Sequence, residues 1–262
     1  MARLHFEYTD ALPRGYGALL WDTFFTQRGR GVSLETHFPW IHRPAAGQAF
    51  ATLKEGSTVL AGLTVRPCGP QTAAVGLVCV DQAHRGQGLS RMLLTQALAR
   101  IDETGVAATT LWTGKPRVYE SHGFLERDSS LLCEVTTLPA GDGPTPAASW
   151  PAAGDPAGRG LPPYAHHALR LGHHKAQAVM LMDTLGIAVA EWQGSDEDVI
   201  ALLRPVMPRR WRLHALLGDT LPQALRSAGA SLTTTPQRLQ MWRPRPGQAL
   251  PDLPALRLLD RI

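Results

Sequence analysis

The sequence contains little lysine, and its basic residues form no block. Of the 26 basic residues in the 262-residue chain only three are Lys, and the Arg residues that make up the rest are spread along the sequence. The formal net charge of +4 therefore comes without the run of positive charge that binds nucleic acid. The densest group, Arg209, Arg210 and Arg212 around Trp211, is interpreted as the solvated end of an element. We predict no nucleic-acid partner.

Cysteine, apolar spans and metal-ligand patterns are also scarce. The three Cys are odd in number and form no Cys-x-x-Cys pair, which is typical of reduced thiols in a cytosolic protein. No run approaches the roughly 20 apolar residues of a membrane span, and the N-terminus lacks the apolar segment of a secretory signal. Two histidine pairs, His166-His167 and His173-His174, lack the spacing of metal ligands. We expect a cytoplasmic protein with no membrane partner and no metal site.

A segment rich in Pro, Gly and Ala divides the chain. Residues 139–163 contain seven Pro, five Gly and six Ala, which leaves few side chains to form a core. Hydrophobic residues make up 44% of the chain and charged residues 18%, so the parts on either side have the composition of folded domains. We predict a domain at 1–138, a linker at 139–163 and a smaller domain at 164–262.

The first domain has the pattern of a mixed α/β sheet. A hairpin signal at Glu55-Gly56 joins two predicted strands, and a later continuous apolar run is typical of a central strand. In order, we predict a helix at 11–27, strands at 48–54, 57–66 and 73–80, a helix at 89–104, a strand at 107–112, a helix at 116–122 and a strand at 130–138. This order predicts an α+β fold with a glycine-containing loop between the central strand and the long helix.

The loop before the long helix has the features of a phosphate-binding site. Gly86 and Gly88 flank one residue directly before the helix, so successive backbone N–H groups can turn toward one point. The helix start adds unpaired N–H groups and a partial positive charge, and Arg85 adds a cation. No Gly-Lys-Ser/Thr follows, as it would in a P-loop, and the third Gly of the dinucleotide fingerprint is absent. The loop alone leaves open a pyrophosphate site or a plain glycine-rich turn.

Two motifs in this region resemble those of a known family. Residues 77–94, LVCVDQAHRGQGLSRMLL, are similar to the acyl-CoA-binding motif of the GCN5-related N-acetyltransferases (GNAT). Arg85, Gly88 and Ser90 occupy its fixed positions, although the family has Gly or Ala where this chain has Ser90. Residues 119–124, YESHGF, resemble the family's Tyr-Glu-x-x-Gly-Phe helix at the expected distance downstream. The resemblance covers about residues 1–138 and implies a GNAT fold for that domain.

The resemblance also implies a reaction. Family members transfer an acetyl group from acetyl-CoA directly to a primary amine, without a covalent intermediate on the protein. The strand Val78–Val80 would pair with the pantetheine arm and direct an N–H at the thioester carbonyl, and Tyr119 would protonate the departing thiolate as general acid. The implied cofactor-binding residues are Val78, Val80, Arg85, Gly86, Gln87, Gly88, Ser90 and Arg91. The alternative is a catalytically silent or regulatory module that binds CoA.

The predicted strands supply no general base. Families of this kind often use a Glu on a central strand, and the strands here carry no internal carboxylate. His84 in the loop and His122 beside Tyr119 are the candidates, and the amine can also arrive deprotonated. Asp81 is interpreted as a residue that braces the loop, and Cys79 as a buried inert thiol rather than an acyl acceptor.

The acceptor pocket is expected between the first helix and the first strand, at residues 28–43. Phe38 and Trp40 could line it and Glu35 could attract a cationic amine, with ordinary loop packing as the alternative for each. The sequence leaves open whether the acceptor is a small-molecule or a peptide amine. It also leaves open whether the chain is a monomer or a homodimer.

Residues 164–262 resemble the cofactor-binding half of the first domain in the order of their elements. We predict a strand at 187–194, a helix at 195–207 with Ser195 as N-cap, a strand at 211–217, a helix at 221–230 and a strand at 237–243. The helix begins with Asp196, Glu197 and Asp198, which would repel a pyrophosphate, and Leu225 stands where the first domain has Tyr119. We predict a degenerate GNAT-like module without a CoA site. An unrelated small α/β domain is the alternative.

Overall fold

The computed structural model describes residues 3–43, 45–138, 147–148, 158–173 and 175–262. These residues form two seven-stranded sheets, each of which combines parallel and antiparallel pairs and packs against helices. The predicted α+β class is confirmed. Within the described ranges, no helix is long and apolar enough to cross a membrane.

The part of the chain up to Arg127 forms six strands and four helices within the described residues. They are β1 (Leu4–Thr9), α1 (Tyr16–Phe24), α2 (Leu34–His37), β2 (Ala49–Glu55), β3 (Thr58–Gly69), β4 (Thr72–Val80), α3 (Leu89–Glu103), β5 (Ala108–Trp112), α4 (Arg117–Glu120) and β6 (Leu125–Glu126). Short 3-10 turns at Thr26–Arg28 and Gln82–His84 follow α1 and β4.

The remaining described residues add eight strands and two helices. They are β7 (Ser130–Thr136), β8 (Ala147–Ala148), β9 (His167–His173), β10 (Ala176–Asp183), β11 (Gly186–Gln193), α5 (Asp196–Leu203), β12 (Arg210–Leu216), α6 (Leu221–Ser227), β13 (Ser231–Pro236) and β14 (Gln240–Pro244). A last 3-10 turn covers Leu258–Asp260.

One strand from each half of the sequence belongs to the sheet of the other half. The first sheet has the order β1-β2-β3-β4-β5-β14-β6, and the second has the order β13-β7-β12-β11-β10-β9-β8. Sequence analysis assigns the strand at 130–138 to the first domain and the strand at 237–243 to the second, and the structure places each in the opposite sheet. Periodicity predicts a strand but not its partner. Cys133 and Val135 of β7 lie in the second core, whereas Met241 of β14 lies in the first.

The compact units therefore differ from the predicted domain boundaries. The first unit comprises the described residues up to Arg127 together with Leu239–Leu256 and Asp260–Ile262, and the second comprises those of Asp128–Arg238 with Arg257–Leu259. Most of the predicted linker, at 139–146 and 149–157, lies outside the described residues. Its other parts are the edge strand β8, paired with β9, and a stretch in which Leu161 is buried in an apolar cluster of the second unit.

The core of the first unit lies on both faces of its sheet. α3 covers one face through Leu89, Leu93, Ala97 and Ile101, whose spacing of four residues places them on one side of the helix. A second cluster, built largely from aromatic residues of α1, α2 and the segment that follows α2, covers the other face. The strand β1 is absent from the predicted elements: among the described residues it pairs with β2 alone at the sheet edge, and its half-buried residues give no clean alternation.

The second unit has a core of its own between its sheet and two helices. Leu203 of α5 and Leu225 of α6 are fully buried against Val189 and Leu213 of the central strands. Ser195 caps α5 as predicted, since its hydroxyl accepts the Asp198 N–H at 3.2 Å. Sequence analysis does not predict β9, β10 and β13.

Candidate active site

The first sheet opens between β4 and β5. These parallel strands pair only from Thr72 to Ala74 against Ala108 to Thr110. β4 continues as far as Val80 and remains paired with β3 on its other side. In the described residues no strand pairs with this side of β4 beyond Ala74, so its backbone groups can bind an extended ligand there. Val78 and Val80, the two predicted strand contacts, lie in this stretch and are half-buried.

A β-bulge changes the direction of β4 in the middle of this opening. Leu77 adopts the left-handed conformation, with φ of 52°, where the register between β3 and β4 shifts. The hydroxyl of Tyr16, which is fully buried, donates to the Leu77 carbonyl at 3.0 Å and lies 3.1 Å from the Thr64 hydroxyl. A Cβ on Gly62 would overlap the Tyr16 ring, so the ring is fitted against bare backbone. The side chain of Tyr16 therefore supports the bulge through a hydrogen bond and close packing.

Asp81 braces the loop that leaves β4. Its backbone N–H donates to the Leu60 carbonyl at 2.8 Å, and its carboxylate accepts the Ala83 N–H at 3.0 Å. The His84 Nδ1 atom lies 2.6 Å from the same carboxylate oxygen, and this hydrogen bond lowers the pKa of Asp81. These contacts agree with the bracing role that the sequence suggests. They also place one imidazole nitrogen of His84 against a carboxylate.

The glycine loop presents open backbone at the start of α3. Gly86 and Gly88 have φ values of 79° and 77°, and a Cβ on either residue would meet no atom within 4 Å. Gly88 is the N-cap of α3, and the first turn of that helix has no side-chain cap and no acidic residue. Its N–H groups are thus left to water or to an anionic ligand. Gln87 and Arg91 are exposed and Ser90 is half-buried at this end of the helix.

Arg85 ties the loop to two neighbouring elements. Its Nε donates to the Val80 carbonyl at 3.3 Å, and its Nη2 donates to the Gln27 side chain at 3.1 Å. The side chain is exposed, and its guanidinium has further donors for a phosphate.

Tyr119 lies on the one-turn helix α4 and packs against the core cluster beneath α3. Its ring meets the fully buried Phe124 edge to face, with centroids 6.1 Å apart. Burial raises the pKa of the Tyr119 phenol, which keeps its proton in place at neutral pH. The charge of Arg91, in the first turn of α3, contributes to lowering the pKa of His122. The His122 carbonyl accepts a hydrogen bond from Arg243, whose guanidinium also binds Asp102 in the last turn of α3.

Burial shifts the pKa values of two remaining candidates for proton transfer and acyl transfer. Burial is the largest cause that lowers the pKa of His122, followed by the charges of Arg91 and Arg243, so its imidazole is neutral at neutral pH. Burial raises the pKa of the Cys79 thiol to about 12, which agrees with its interpretation as an inert thiol. β3, β4 and β5 contain no Asp or Glu.

The buried residues of the segment at 28–43 are His37, Phe38, Trp40 and Ile41. Phe38 and Trp40 are 3% and 6% exposed and belong to the aromatic cluster, which favours ordinary packing for both. The guanidinium of Arg66 lies 4.3 Å from the centroid of the Trp40 ring. Glu35 is exposed and lies 3.4 Å from His42.

Sequence reasoning missed three residues that shape the site: Tyr16, Asp102 and Arg243. Tyr16 is an isolated Tyr in a helical pattern, with nothing near it in sequence to indicate its bond to β4. Arg243 makes a bidentate ion pair with Asp102, and 141 residues separate the two. A pairing over that distance leaves no signal in local spacing.

The second unit lacks these features. The first turn of α5 carries Asp196, Glu197 and Asp198, and Leu225 is fully buried. A cavity of about 330 Å³ in this unit is lined by Arg159, Arg170, Gln177, Ala178, Val179, Glu191, Trp192, Gln193 and Arg257. Among the described residues of either unit, no group of His, Cys, Asp and Glu could hold a metal ion.

A sheet that opens between two parallel strands, beside a glycine loop at a helix N-terminus, defines the acyl-CoA N-acyltransferase class of fold. Residues 15–127 match the model of the GNAT acetyltransferase family. The chain is 34% identical over 158 residues to an L-2,4-diaminobutyric acid acetyltransferase of Streptomyces anulatus, an alignment that covers 53% of this chain and 88% of that protein. The chain belongs to the GNAT family.

Solved structures extend the likeness to both units. A GCN5-related N-acetyltransferase from Anabaena variabilis matches with a TM-score of 0.64 at 17% identity, and the match covers 92% of this chain and 73% of that protein. A conserved protein of unknown function from Enterococcus faecalis, described as a probable N-acyltransferase, has a TM-score of 0.64 at 12% identity, with 93% and 73% covered. At these identities the likeness establishes the fold alone. A second GNAT-like half fits the second sheet.

Proposed function

We propose that the chain is an N-acetyltransferase that moves an acetyl group from acetyl-CoA directly to a primary amine. The observation that carries the proposal is the opening between β4 and β5: β4 leads into the glycine loop, and β5 is followed by α4, which carries Tyr119. The high pKa of the Cys79 thiol supports direct transfer, because a protonated buried thiol is a poor acyl acceptor.

Each part of the site has a role in this reaction. The backbone N–H groups of Gly86, Gln87, Gly88 and Ser90 bind the pyrophosphate, with Arg85 and Arg91 as flanking cations. The open side of β4 pairs with the pantetheine arm through Val78 and Val80, and a backbone N–H near the bulge stabilises the thioester oxygen as negative charge develops.

The chemistry is one addition and one elimination. The lone pair of the amine nitrogen attacks the thioester carbonyl, a C–N bond forms, and the C–S bond breaks. Tyr119 donates its proton to the departing thiolate. The proton of the former amine passes to water or to a histidine, for which His122, whose imidazole is neutral, and His84 are the candidates.

The acceptor is proposed to be a small-molecule or peptide amine. The Streptomyces relative is named for L-2,4-diaminobutyric acid, so this diamine is the first acceptor to test. We further propose that the protein acts in the cytoplasm as a monomer or homodimer and requires neither nucleic acid nor a membrane.

Calorimetric titration with acetyl-CoA tests the cofactor site. We expect micromolar binding by the wild-type protein and none by the double variant Arg85→Glu, Gly88→Glu. Arg100→Glu is the matched control, because it reverses an exposed charge in the last turn of the same helix and should bind normally. Lack of binding by the wild-type protein would reduce the likeness to the fold alone.

Thiol release from acetyl-CoA then tests the reaction, with diaminobutyrate, a simple diamine, a lysine-containing peptide and a peptide with a free N-terminus as acceptors. Amine-dependent release of CoA supports the transferase. Tight binding without release for every amine favours the alternative, a catalytically silent CoA-binding module.

A further inference from the structure

Arg243, on the strand β14, binds two parts of the first unit with one side chain. Its Nη1 and Nη2 donate to the two carboxylate oxygens of Asp102, near the end of α3, at 2.8 and 2.7 Å. Its Nε donates to the backbone carbonyl of His122 at 3.0 Å. The side chain of Arg243 is 11% exposed and that of Asp102 is 22% exposed, so both bonds lie largely out of water. Charge-assisted, bidentate ion pairs of this kind are stronger and more directional than hydrogen bonds between neutral groups.

The carbonyl that Arg243 holds belongs to the turn that ends α4. The N–H groups of His122 and Phe124 donate to the Tyr119 carbonyl at 2.9 and 3.4 Å, so one short turn joins all three residues. Gly123 adopts φ of 85° in this turn, and a Cβ there would lie 3.9 Å from the Arg243 Cγ. Arg243 therefore contacts the turn through a hydrogen bond and through its aliphatic stem.

α4 cannot fix the direction of Tyr119 by itself. It has four residues, starts at Pro116 without a side-chain cap, and is far shorter than the roughly 12 residues that an isolated helix needs in water. Its position must come from tertiary contacts. These contacts are the packing of Tyr119 on the core cluster, its edge contact with Phe124, and the hydrogen bond from Arg243 to the following turn.

We propose that Arg243 is a positioning residue for Tyr119: anchored on Asp102 of α3, it holds the His122 carbonyl and thereby fixes the direction of the Tyr119 hydroxyl. The inference rests on the proposed transferase function, in which Tyr119 is the general acid. The new element is that a residue outside both sequence motifs, on a strand near the other end of the chain, positions the general acid.

Three variants separate positioning from simple stabilisation. Arg243→Met removes both bonds and keeps most of the stem. Arg243→Lys keeps the charge but cannot form the planar fork to Asp102 while also reaching the His122 carbonyl. Glu103→Gln is the matched control, since it removes an exposed carboxylate next to Asp102 that pairs with Arg100 and leaves all three hydrogen bonds of Arg243 in place. All are compared at a temperature at which circular dichroism shows each variant folded.

Steady-state kinetics gives the first readout. We expect Arg243→Met to lower kcat by about tenfold or more while the KM for acetyl-CoA changes by less than about threefold. Arg243→Lys should restore part of kcat, and Glu103→Gln should keep kcat within about threefold of wild type. The double variant Tyr119→Phe, Arg243→Met should be no slower than Tyr119→Phe alone, because Arg243 acts through that hydroxyl. Multiplicative losses in the double variant would contradict the proposal.

Fluorine NMR gives a readout that requires no turnover. The chain has four Tyr, so 3-fluorotyrosine labelling yields four resonances, and Tyr119→Phe identifies the one from Tyr119. We expect that resonance to shift or broaden in Arg243→Met and to stay near its wild-type position in Glu103→Gln. An unchanged resonance in Arg243→Met would overturn the positioning role even if the enzyme is active. Absence of amine acetylation by the wild-type protein would instead overturn the proposed function.

Discussion

At the residue scale, Tyr119 carries the sharpest prediction. Tyr119→Phe removes only the hydroxyl and retains the packing on the core cluster and on Phe124, so folding and acetyl-CoA binding should survive. We expect kcat to fall by about 10²-fold or more, the contribution typical of a general acid. Calorimetry and thiol-release kinetics on the same preparation measure the two effects.

The pH profile checks the same assignment. Burial raises the pKa of Tyr119, so the phenol stays protonated at neutral pH and donates its proton there. The kcat of the wild-type protein should decline only as the pH rises through that raised pKa, and Tyr119→Phe should lack this decline. Normal turnover by the variant would show that another group is the acid.

What the sequence reveals at this scale depends on chain distance. The glycine loop and Tyr119 lie within motifs whose spacing identifies them, and the bracing role of Asp81 follows from its place after a strand. Tyr16 and Arg243 act on backbone carbonyls that are 61 and 121 residues away. No local pattern predicts such bonds, because they depend on which strands become neighbours.

At the scale of elements, the bulge in β4 depends on α1. Tyr16→Phe leaves the buried Leu77 carbonyl without its donor, which should cost about 1–3 kcal/mol of stability. We expect weaker acetyl-CoA binding as well, because the bulge would lose the bond that fixes the backbone of the open strand. Urea unfolding and calorimetry measure these effects. Tyr8→Phe on the edge strand β1 is the control, and a loss in Tyr16→Phe no larger than in that variant would refute the role of the Tyr16 hydroxyl.

Elements with a strong period were predictable, and those without one were not. The predicted helix at 89–104 corresponds to α3 at Leu89–Glu103, and the predicted strand at 73–80 corresponds to β4 at Thr72–Val80. The predicted helix at 116–122 shrinks to the four residues of α4, because Gly123 and the following turn end it. β1 escaped prediction, since its pairing with β2 rather than its own pattern makes it a strand.

At the scale of the whole molecule, the exchange of β7 and β14 means that the first unit is not one continuous stretch of sequence. Each strand carries the apolar residues of the sheet it joins: Cys133 and Val135 complete the second core, and Met241 completes the first. A sequence divided at its Pro-rich segment therefore yields two pieces, each of which holds one strand of the other's sheet.

A chain that ends at Leu138, the predicted first domain, should therefore fail to fold into a stable monomer. It lacks β14, so β5 loses its antiparallel partner, the core loses Met241 and the fully buried Trp242, and Asp102 loses Arg243. Loss of one such buried Trp side chain alone costs about 3–5 kcal/mol, a large part of the stability of a typical domain. Circular dichroism, size-exclusion chromatography and acetyl-CoA calorimetry measure the outcome.

A fusion in which an inserted Asn-Gly pair links Arg127 to Leu239 is the matched comparison. The Arg127 N–H already donates to the Gln240 carbonyl at 3.1 Å, and β6 and β14 run antiparallel, so the three residues Asn, Gly and Leu239 can form a short hairpin loop between Arg127 and Gln240. This fusion contains every segment of the first unit and should fold and bind acetyl-CoA, whereas the contiguous piece up to Leu138 should not. Equal folding and binding by the piece that ends at Leu138 would show that β14 is dispensable and that the contiguous domain boundary is sufficient.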